Sequence, residues 1–322
     1  SDHSHNAIVD FLWNISHLRT YLLSAVLELL MNKLKLYAIL EVLFSRKMLW
    51  KLGRFLYLGA RRDLQNDPLT NGEYELFAWY LDGILTDGSK SSKIFLDVGA
   101  NFADWSVELV TQLNARNLAA GTAVHAFEPG PTQFEIAEKN LNKYAKDIGQ
   151  LHKLAIGQET GKVQFNLTGE ESGSSAIATG SRSAIGELIE VDLDTLESFC
   201  SRHGIDQIDI IKVDTEGNDF NVIAGCKNLL ANGNISILQF EYNWRWIDFG
   251  YFLSDVFKAI EQMPYKLGKL TPQGIEIYSH WAMELDRFIE CNFVLIHEDI
   301  VPKLPTKSYV FDRDNVAVEA VS

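Results

Sequence analysis

The amino-acid sequence predicts an α/β protein in which helices cover both faces of a mostly parallel sheet and an all-helical extension comes first. Three observations lead there. From residue 93 onward short apolar runs alternate with helix-patterned segments, the rhythm of βαβ units with right-handed crossovers. Residues 7 to about 62 are instead rich in Leu, aromatic residues and Lys/Arg and hold no proline, which favours helix throughout. Between the two, Asp67-Pro68-Leu69-Thr70-Asn71-Gly72 clusters turn formers and marks the best boundary in the chain. The expected organisation is a helical extension over residues 1–71, an α/β domain over 72–300 and a tail over 301–322, where Pro302 and Pro305 interrupt any period.

Within the extension a single long helix would leave no dry face, because Arg19, Lys33 and Glu41 share one side and Glu28, Lys35 and Arg46 the other. Two or three shorter helices, broken near Asn32 and Ser45, fit better. In the last of them Lys47, Lys51 and Arg54 follow i, i+4, i+7 spacing, with Leu49, Leu52 and Leu56 across from them. This basic amphipathic element is either a solvated face or a contact for anionic lipid or an acidic partner. Past the boundary, Glu73 to Leu85 reads as one helix. Lys93–Val98, Ala123–Phe127, Leu151–Ile156, Ile208–Val213 and Ile235–Phe240 read as buried strands, and the stretches near 104–113, 131–145, 194–203, 217–231 and 252–262 as helices. Tyr265–Leu270, Gly274–Tyr278 and Phe293–Ile296 are further strands suited to an antiparallel edge. The Gly/Ser-rich stretch 170–183 is a loop, either mobile beside a pocket or a plain connection.

At 322 residues the chain can hold two domains, or one large domain with an extension. With 47% hydrophobic and 22% charged residues and 7 prolines, collagen-like, low-complexity and wholly disordered classes are excluded. The net charge of −14 argues against nucleic-acid binding, since a polyanion is repelled at long range. That charge is uneven: residues 1–62 carry 9 Lys/Arg against 4 Asp/Glu, leaving 20 against 39 for the remainder. Cys200, Cys226 and Cys291 have neither disulfide nor zinc spacing, which points to a reducing compartment and a cytoplasmic location. No window holds the roughly 18 uninterrupted apolar residues of a membrane span, so the expected membrane contact is peripheral, through the basic helices. The opening Ser1-Asp2-His3-Ser4-His5 has no signal-peptide design and reads as a trimmed start.

Ligands of open α/β sheets bind beyond the carboxyl ends of the strands. The first strand ends in Asp97-Val98-Gly99-Ala100-Asn101, and the second in Ala126-Phe127-Glu128-Pro129. An acidic residue leading into a glycine turn, followed by a carboxylate closing the next strand, is the layout that positions a nucleoside: glycine lets the backbone approach, and the second carboxylate accepts from ribose hydroxyls. The turn lacks G-x-G-x-x-G, with Asn101 and Ala103 where glycine would be wanted, and a P-loop is absent. A nucleoside ligand without a phosphate chain remains, and S-adenosylmethionine fits that description.

With these strand ends and Ser106, the sequence resembles the FkbM-type S-adenosylmethionine-dependent methyltransferases. Further blocks carrying the resemblance are Leu154-Ala155-Ile156-Gly157 with Gly161-Lys162-Val163, Val191-Asp192-Leu193-Asp194-Thr195-Leu196, Ile211-Lys212-Val213-Asp214-Thr215-Glu216-Gly217 and Gln239-Phe240-Glu241-Tyr242-Asn243. They follow the family's order over about residues 72–297. The resemblance implies a class I methyltransferase fold, a Rossmann-like seven-stranded sheet with its last strand antiparallel, and O-methylation of hydroxyls on sugars or natural products. It implies that Asp97, Gly99 and Asn101 line the methionine and ribose side of the cofactor, that Glu128 holds the ribose and that Ala155 lies near the adenine. Ser106, at the start of the helix beneath the turn, is a ligand contact or a packing or capping residue. Two departures stand out: Ala103 replaces a usual glycine and would crowd the turn, and Asn218-Asp219 replaces a His-Glu pair.

Methyl transfer from a sulfonium is an in-line displacement, and an aliphatic hydroxyl needs a base or a metal to release its proton. Two designs follow. Asp214 or Glu216 is the base, or Asp214, Glu241 and Asn243 hold a Mg²⁺-like cation through oxygen. Glu216 has a second reading as stabiliser of the following helix N-terminus. His152 and His280 are alternative bases, His280 beside Trp281 being able to reach a pocket mouth. Tyr242, Trp244, Trp246, Phe249, Tyr251 and Phe252 form either a sugar-stacking platform or core. The leading expectation is an O-methyltransferase acting on a small-molecule or glycan acceptor. Its rivals are an N- or carboxyl-methyltransferase and a non-catalytic cofactor-binding scaffold recruited through its N-terminal helices.

Overall fold

The computed structural model describes residues 33–63, 67–85, 92–167, 175–178 and 186–320. The expected break near Asn32 and most of the Gly/Ser-rich loop lie outside the described residues. Contacts divide the chain after Ala60 into two units.

In the first unit helix α1 spans Lys33–Leu43 and α2 begins at Arg46 and runs to Arg61. The expected break at Ser45 is present, because the Ser45 hydroxyl accepts from the Met48 amide at 3.3 Å and its carbonyl from Met48 and Leu49 at 2.9 and 3.0 Å, starting a new helix. The second unit starts at Arg61, not at the Asp67–Gly72 turn. Arg61 pairs with Asp63 (2.5 Å) and Glu284 (3.2 Å), Arg62 with Glu276 (3.1 Å), and buried Asp63 with Lys269. These ion pairs commit the three residues to the α/β unit, so the boundary moves upstream of the turn.

That unit runs through α3 (Glu73–Tyr80, prolonged by a π-turn to Leu85), β1 (Lys93–Val98), α4 (Asp104–Ala115), β2 (Thr122–Phe127), α5 (Pro131–Tyr144), β3 (Gly149–His152) and β4 (Ala155–Ile156). It continues with β5 (Gly161–Leu167), β6 (Ala176–Ile177), β7 (Glu187–Asp194), α6 (Leu196–His203), β8 (Ile208–Val213), α7 (Asp219–Ala224), α8 (Lys227–Ala231), β9 (Ile235–Tyr242), α9 (Trp246–Phe249) and α10 (Leu253–Ile260). It closes with β10 (Tyr265–Thr271), β11 (Gly274–Tyr278), β12 (Cys291–His297), β13 (Thr306–Phe311) and β14 (Ala317–Glu319).

The main sheet has the order β14-β13-β11-β10-β12-β9-β8-β1-β2-β3. Strands β3, β2, β1, β8 and β9 are parallel, and β12 is inserted antiparallel between β9 and β10. Those seven strands are the class I methyltransferase arrangement. The sheet is nevertheless ten-stranded, because β11, β13 and β14 extend it past β10. The expected tail over 301–322 is therefore corrected: residues 306–311 and 317–319 pair with the edge, β13 lying parallel to β11 and β14 antiparallel to β13. The expected strand Leu151–Ile156 is split, with β3 on the edge of the main sheet and β4 in a second sheet of order β4-β7-β5-β6.

Successive residues of the central strands feed opposite cores. Leu96, Phe127, Ile211 and Leu238 pack on one face, and Phe95, Ala126, Ile210 and Ile237 on the other. Every residue of β8 is buried, including Asp209 and Lys212. Asp209 is satisfied by the Tyr80 hydroxyl at 2.7 Å and the Ile94 amide at 2.9 Å, as a buried carboxylate requires.

Candidate active site

The carboxyl ends of β1, β2, β4 and β8 converge on a cleft. Its floor is the turn after β1. Gly99 has φ +80°, and a Cβ there would lie 2.0 Å from the Asp214 carbonyl oxygen, so only glycine lets this turn close on the end of β8. The amides of Gly99 and Ala100 both donate to the Phe127 carbonyl at 3.0 Å, tying the turn to β2. Asn101 follows in the left-handed region, φ +49°, which asparagine tolerates.

Glu128 joins the two turns. Its Oε2 accepts from the Asn101 amide at 2.8 Å and its Oε1 from the Gly130 amide at 2.7 Å. Burial outweighs these bonds and pushes its carboxyl up to about 7. Leu154, Ala155, Ile156, Phe165 and Ile177 supply an apolar wall, and Asp214, Thr215 and Glu216 line the far side. Asn218 closes the corner, its amide donating to the Ile156 carbonyl at 2.9 Å. Asp219 receives the Gly217 and Thr215 amides at 3.1 and 3.4 Å. The Asn218-Asp219 pair that replaces His-Glu thus holds the loop after β8 in shape.

Among the described residues, three buried polar atoms in the cleft wall have no hydrogen-bond partner: Asn101 Oδ1, Gln133 Oε1 and Thr215 Oγ1. Buried polar groups are rarely left unpaired, and three around one cleft point to a polar ligand there. Hydroxyl and amino donors of a nucleoside and an amino acid suit this set, so the residues fit S-adenosylmethionine.

Gly99, Asn101, Glu128 and Ala155 line the cleft. Asp97 and Ser106 do not. Asp97 is fully buried beneath the turn and accepts from the Ser106 hydroxyl at 2.7 Å, and neither residue lines the cleft. Parity explains this, because in the pleat Asp97 points away from the face that Val98 presents to the cleft. Burial raises its carboxyl above the usual range. Ala103, with φ +63°, faces the core and does not crowd the cleft.

On the acceptor side, Asp214 is paired with Lys212 at 3.1 Å. Burial works against the charge of Lys212, but Asp214, Glu73 and Asp97 outweigh it and raise its pKa above the ordinary value. Glu216, in a left-handed conformation with φ +58°, is paired with Arg245 at 2.5 Å. Burial and the neighbouring Asp214 push Glu216 up to about 7, against the pull of Arg245. The alternative role of Glu216 at a helix start is not adopted, since α7 begins three residues later and Asp219 holds the preceding amides.

Of the expected cation set, Asp214 is paired with Lys212, and Glu241 and Asn243 are bonded to each other. Asn243 donates to Glu241 at 2.5 Å and its oxygen accepts from the Arg245 amide at 2.8 Å. Burial first, and then Asp214, raise Glu241 well above the usual range. Among the described residues no group of three or more His, Cys, Asp or Glu side chains is arranged to hold a metal ion. His280 is also displaced from the cleft. It follows β11, does not line the cleft, and is exposed beside the Ser279 hydroxyl at 2.8 Å. His152 lies against His125 at 3.1 Å among Phe127 and Phe199.

The aromatic cluster divides between the two readings. Tyr242 and Trp246 are fully buried, with the Trp246 indole donating to the Glu241 carbonyl at 2.9 Å. Trp244 and Phe252 are 43% and 46% exposed, and the Arg245 guanidinium lies 5.0 Å from the Trp244 ring. Sequence reasoning missed Lys212, Gln133, Thr215, Phe165 and Ile177. A signal existed for two of them: a lysine inside an apolar strand demands buried partners, and Val163, Phe165 and Leu167 alternate as a strand does.

Residues 97–270 match the methyltransferase FkbM domain, more than half of the chain. No curated protein matches the sequence significantly. Among solved structures, the chain is similar to methyltransferase FkbM from Methylobacillus flagellatus KT, with 15% identity and TM-score 0.41 over 67% of this chain and 47% of that one. It thus spans about half the length of that protein. Precorrin-6y C5,15-methyltransferase from Geobacter metallireducens GS-15 aligns at 11% identity and TM-score 0.34, covering 69% and 88% of the two chains. A human methyltransferase 10 domain containing protein aligns at 10% and 0.38, covering 73% and 85%. On the extent of the domain match, the chain belongs to the FkbM methyltransferase family.

Proposed function

We propose that the protein transfers a methyl group from S-adenosylmethionine to a hydroxyl of a sugar or glycan. The observation that carries this reading is the cleft itself, where unpartnered Asn101, Gln133 and Thr215 atoms and the Glu128 carboxylate face the acidic pair Asp214 and Glu216. When bound, S-adenosylmethionine supplies an electrophilic methyl on a sulfonium. Glu128 accepts from the ribose hydroxyls, and Leu154, Ala155, Ile156, Phe165 and Ile177 exclude water around the adenine. Glu216 removes the acceptor hydroxyl proton. With its carboxyl near 7 it is both substantially ionised and basic at neutral pH, the match that general-base catalysis favours. Arg245 holds the Glu216 side chain, and the exposed Trp244 ring beside Arg245 offers a flat apolar face to the C–H side of a pyranose.

Titration calorimetry with S-adenosylmethionine tests the cofactor half, and absence of binding to the wild type refutes it. Release of S-adenosylhomocysteine with a panel of neutral glycans tests the acceptor half. Methylation confined to amines or carboxylates, the latter recognised by base-labile products, refutes the hydroxyl assignment.

A further inference from the structure

We propose that α2 is an interfacial helix that docks on an anionic phospholipid surface. The proposal is independent of the acceptor reading. Helix α2 has 16 residues, none of them acidic and none buried. Plotted at 100° per residue, Arg46, Lys47, Lys51 and Arg54 fall within an arc of about 140°, while Met48, Leu49, Leu52, Phe55 and Leu56 occupy the opposite side. That apolar side faces solvent, with Phe55 70%, Leu56 59%, Met48 56% and Leu52 53% exposed. Trp50 and Tyr57 sit at one margin of the basic face, where amphipathic rings favour headgroup level. Among the described residues no helix is long and apolar enough to cross a membrane, so a bilayer would take α2 lying in its plane.

Charge complementarity selects the occupant. Residues 33–60 hold six Lys/Arg and a single acid, Glu41, whereas residues 61–322 hold 22 Lys/Arg against 39 Asp/Glu. An anionic surface attracts the first segment and repels the rest, which leaves the basic helix as the contact. An acidic protein would engage only the basic face, and a second copy of the helix would bring two strongly cationic segments together. A lipid interface accepts the apolar and basic faces at once.

The test is co-sedimentation of the full chain with vesicles of phosphatidylcholine alone and with about a third phosphatidylserine. Binding is expected only to the serine-containing vesicles, weakening at least about tenfold on raising salt from about 0.1 to 0.5 M. The full-chain variant Phe55→Glu with Leu56→Glu should abolish binding. The triple variant Lys47→Glu, Lys51→Glu, Arg54→Glu should weaken it at least about tenfold. Unchanged melting temperature and S-adenosylhomocysteine affinity would show that both variants fold. Three outcomes overturn the proposal: no vesicle binding by the wild type, equal binding to both compositions, or full binding by the Phe55/Leu56 variant. Self-association that Phe55→Glu abolishes, without vesicle binding, would assign the face to a second copy instead.

Discussion

Cofactor affinity should report the charge state of Glu128. Both of its oxygens already accept a backbone amide, at 2.7 and 2.8 Å, and the side chain is only 5% exposed. Ribose hydroxyls need the remaining lone pairs of an ionised carboxylate, and protonation converts one acceptor into a donor. With the carboxyl near 7, the ionised fraction is about nine-tenths at pH 8, half at pH 7 and one-tenth at pH 6. Affinity for S-adenosylhomocysteine should therefore fall about twofold from pH 8 to 7 and a further fivefold or so to pH 6, with a proton released on binding at the lower pH. Glu128→Gln removes a charge-assisted acceptor, worth about 1.5–3 kcal/mol, so at pH 8 it should weaken binding by about 10- to 100-fold and flatten the pH profile. Calorimetry in buffers of different ionisation enthalpy reads both the affinity and the proton count. Glu216→Gln is the control, because Glu216 titrates in the same range and its loss should leave the slope intact. A flat wild-type profile, or an unchanged slope in Glu128→Gln, would refute the ribose role.

Three further outcomes follow from the geometry. Gly99→Ala puts a methyl 2.0 Å from the Asp214 carbonyl in a left-handed turn, so it should cost more than the roughly 1–2 kcal/mol of the backbone penalty alone, read by urea denaturation, and should abolish cofactor binding. Glu216→Gln should lower kcat by about 10²- to 10⁴-fold with cofactor affinity held within about threefold; Arg245→Ala, which removes the group that lowers Glu216, should move the acidic limb of the kcat profile to higher pH. Lys212→Met leaves Asp214, Glu73 and Asp97 without their shared cation and should cost about 3–5 kcal/mol at pH 8. Glu73 and Asp97 have carboxyls raised by burial and bind protons in the fold that the unfolded chain has released, so the loss should shrink as pH falls toward 5. Urea denaturation at the two pH values checks this, and an equal loss at both would count against the shared-cation reading.

Much of the site was legible because its turn chemistry is local. Gly99 must be glycine where the chain reverses against another strand, and Glu128 closes a strand with proline and glycine next to it. Asp97 looked equivalent to Glu128 in the sequence, yet one lies beneath the turn and the other in the cleft, since side-chain direction depends on pleat parity and on which loop crosses above. Asn243 reads in the sequence as an oxygen-bearing neighbour of Glu241, and only the fold shows its amide bridging Glu241 and the Arg245 backbone. Residues 306–319 carry no strong period because their strands sit at an exposed edge, where one side need not be apolar.

By itself, the sequence determined the alternation of strands and helices, the family and the two turns that frame the cleft, all properties of neighbouring residues that no packing decision can move far. The tertiary structure decided the rest: that Lys212 meets Glu73 and Asp97 from other elements, that Phe165 and Ile177 of a second sheet wall the cleft, and that the Asn218 side chain reaches the Ile156 carbonyl. These depend on contacts between residues far apart in the chain, where burial and pairing, rather than residue type, set charge and access.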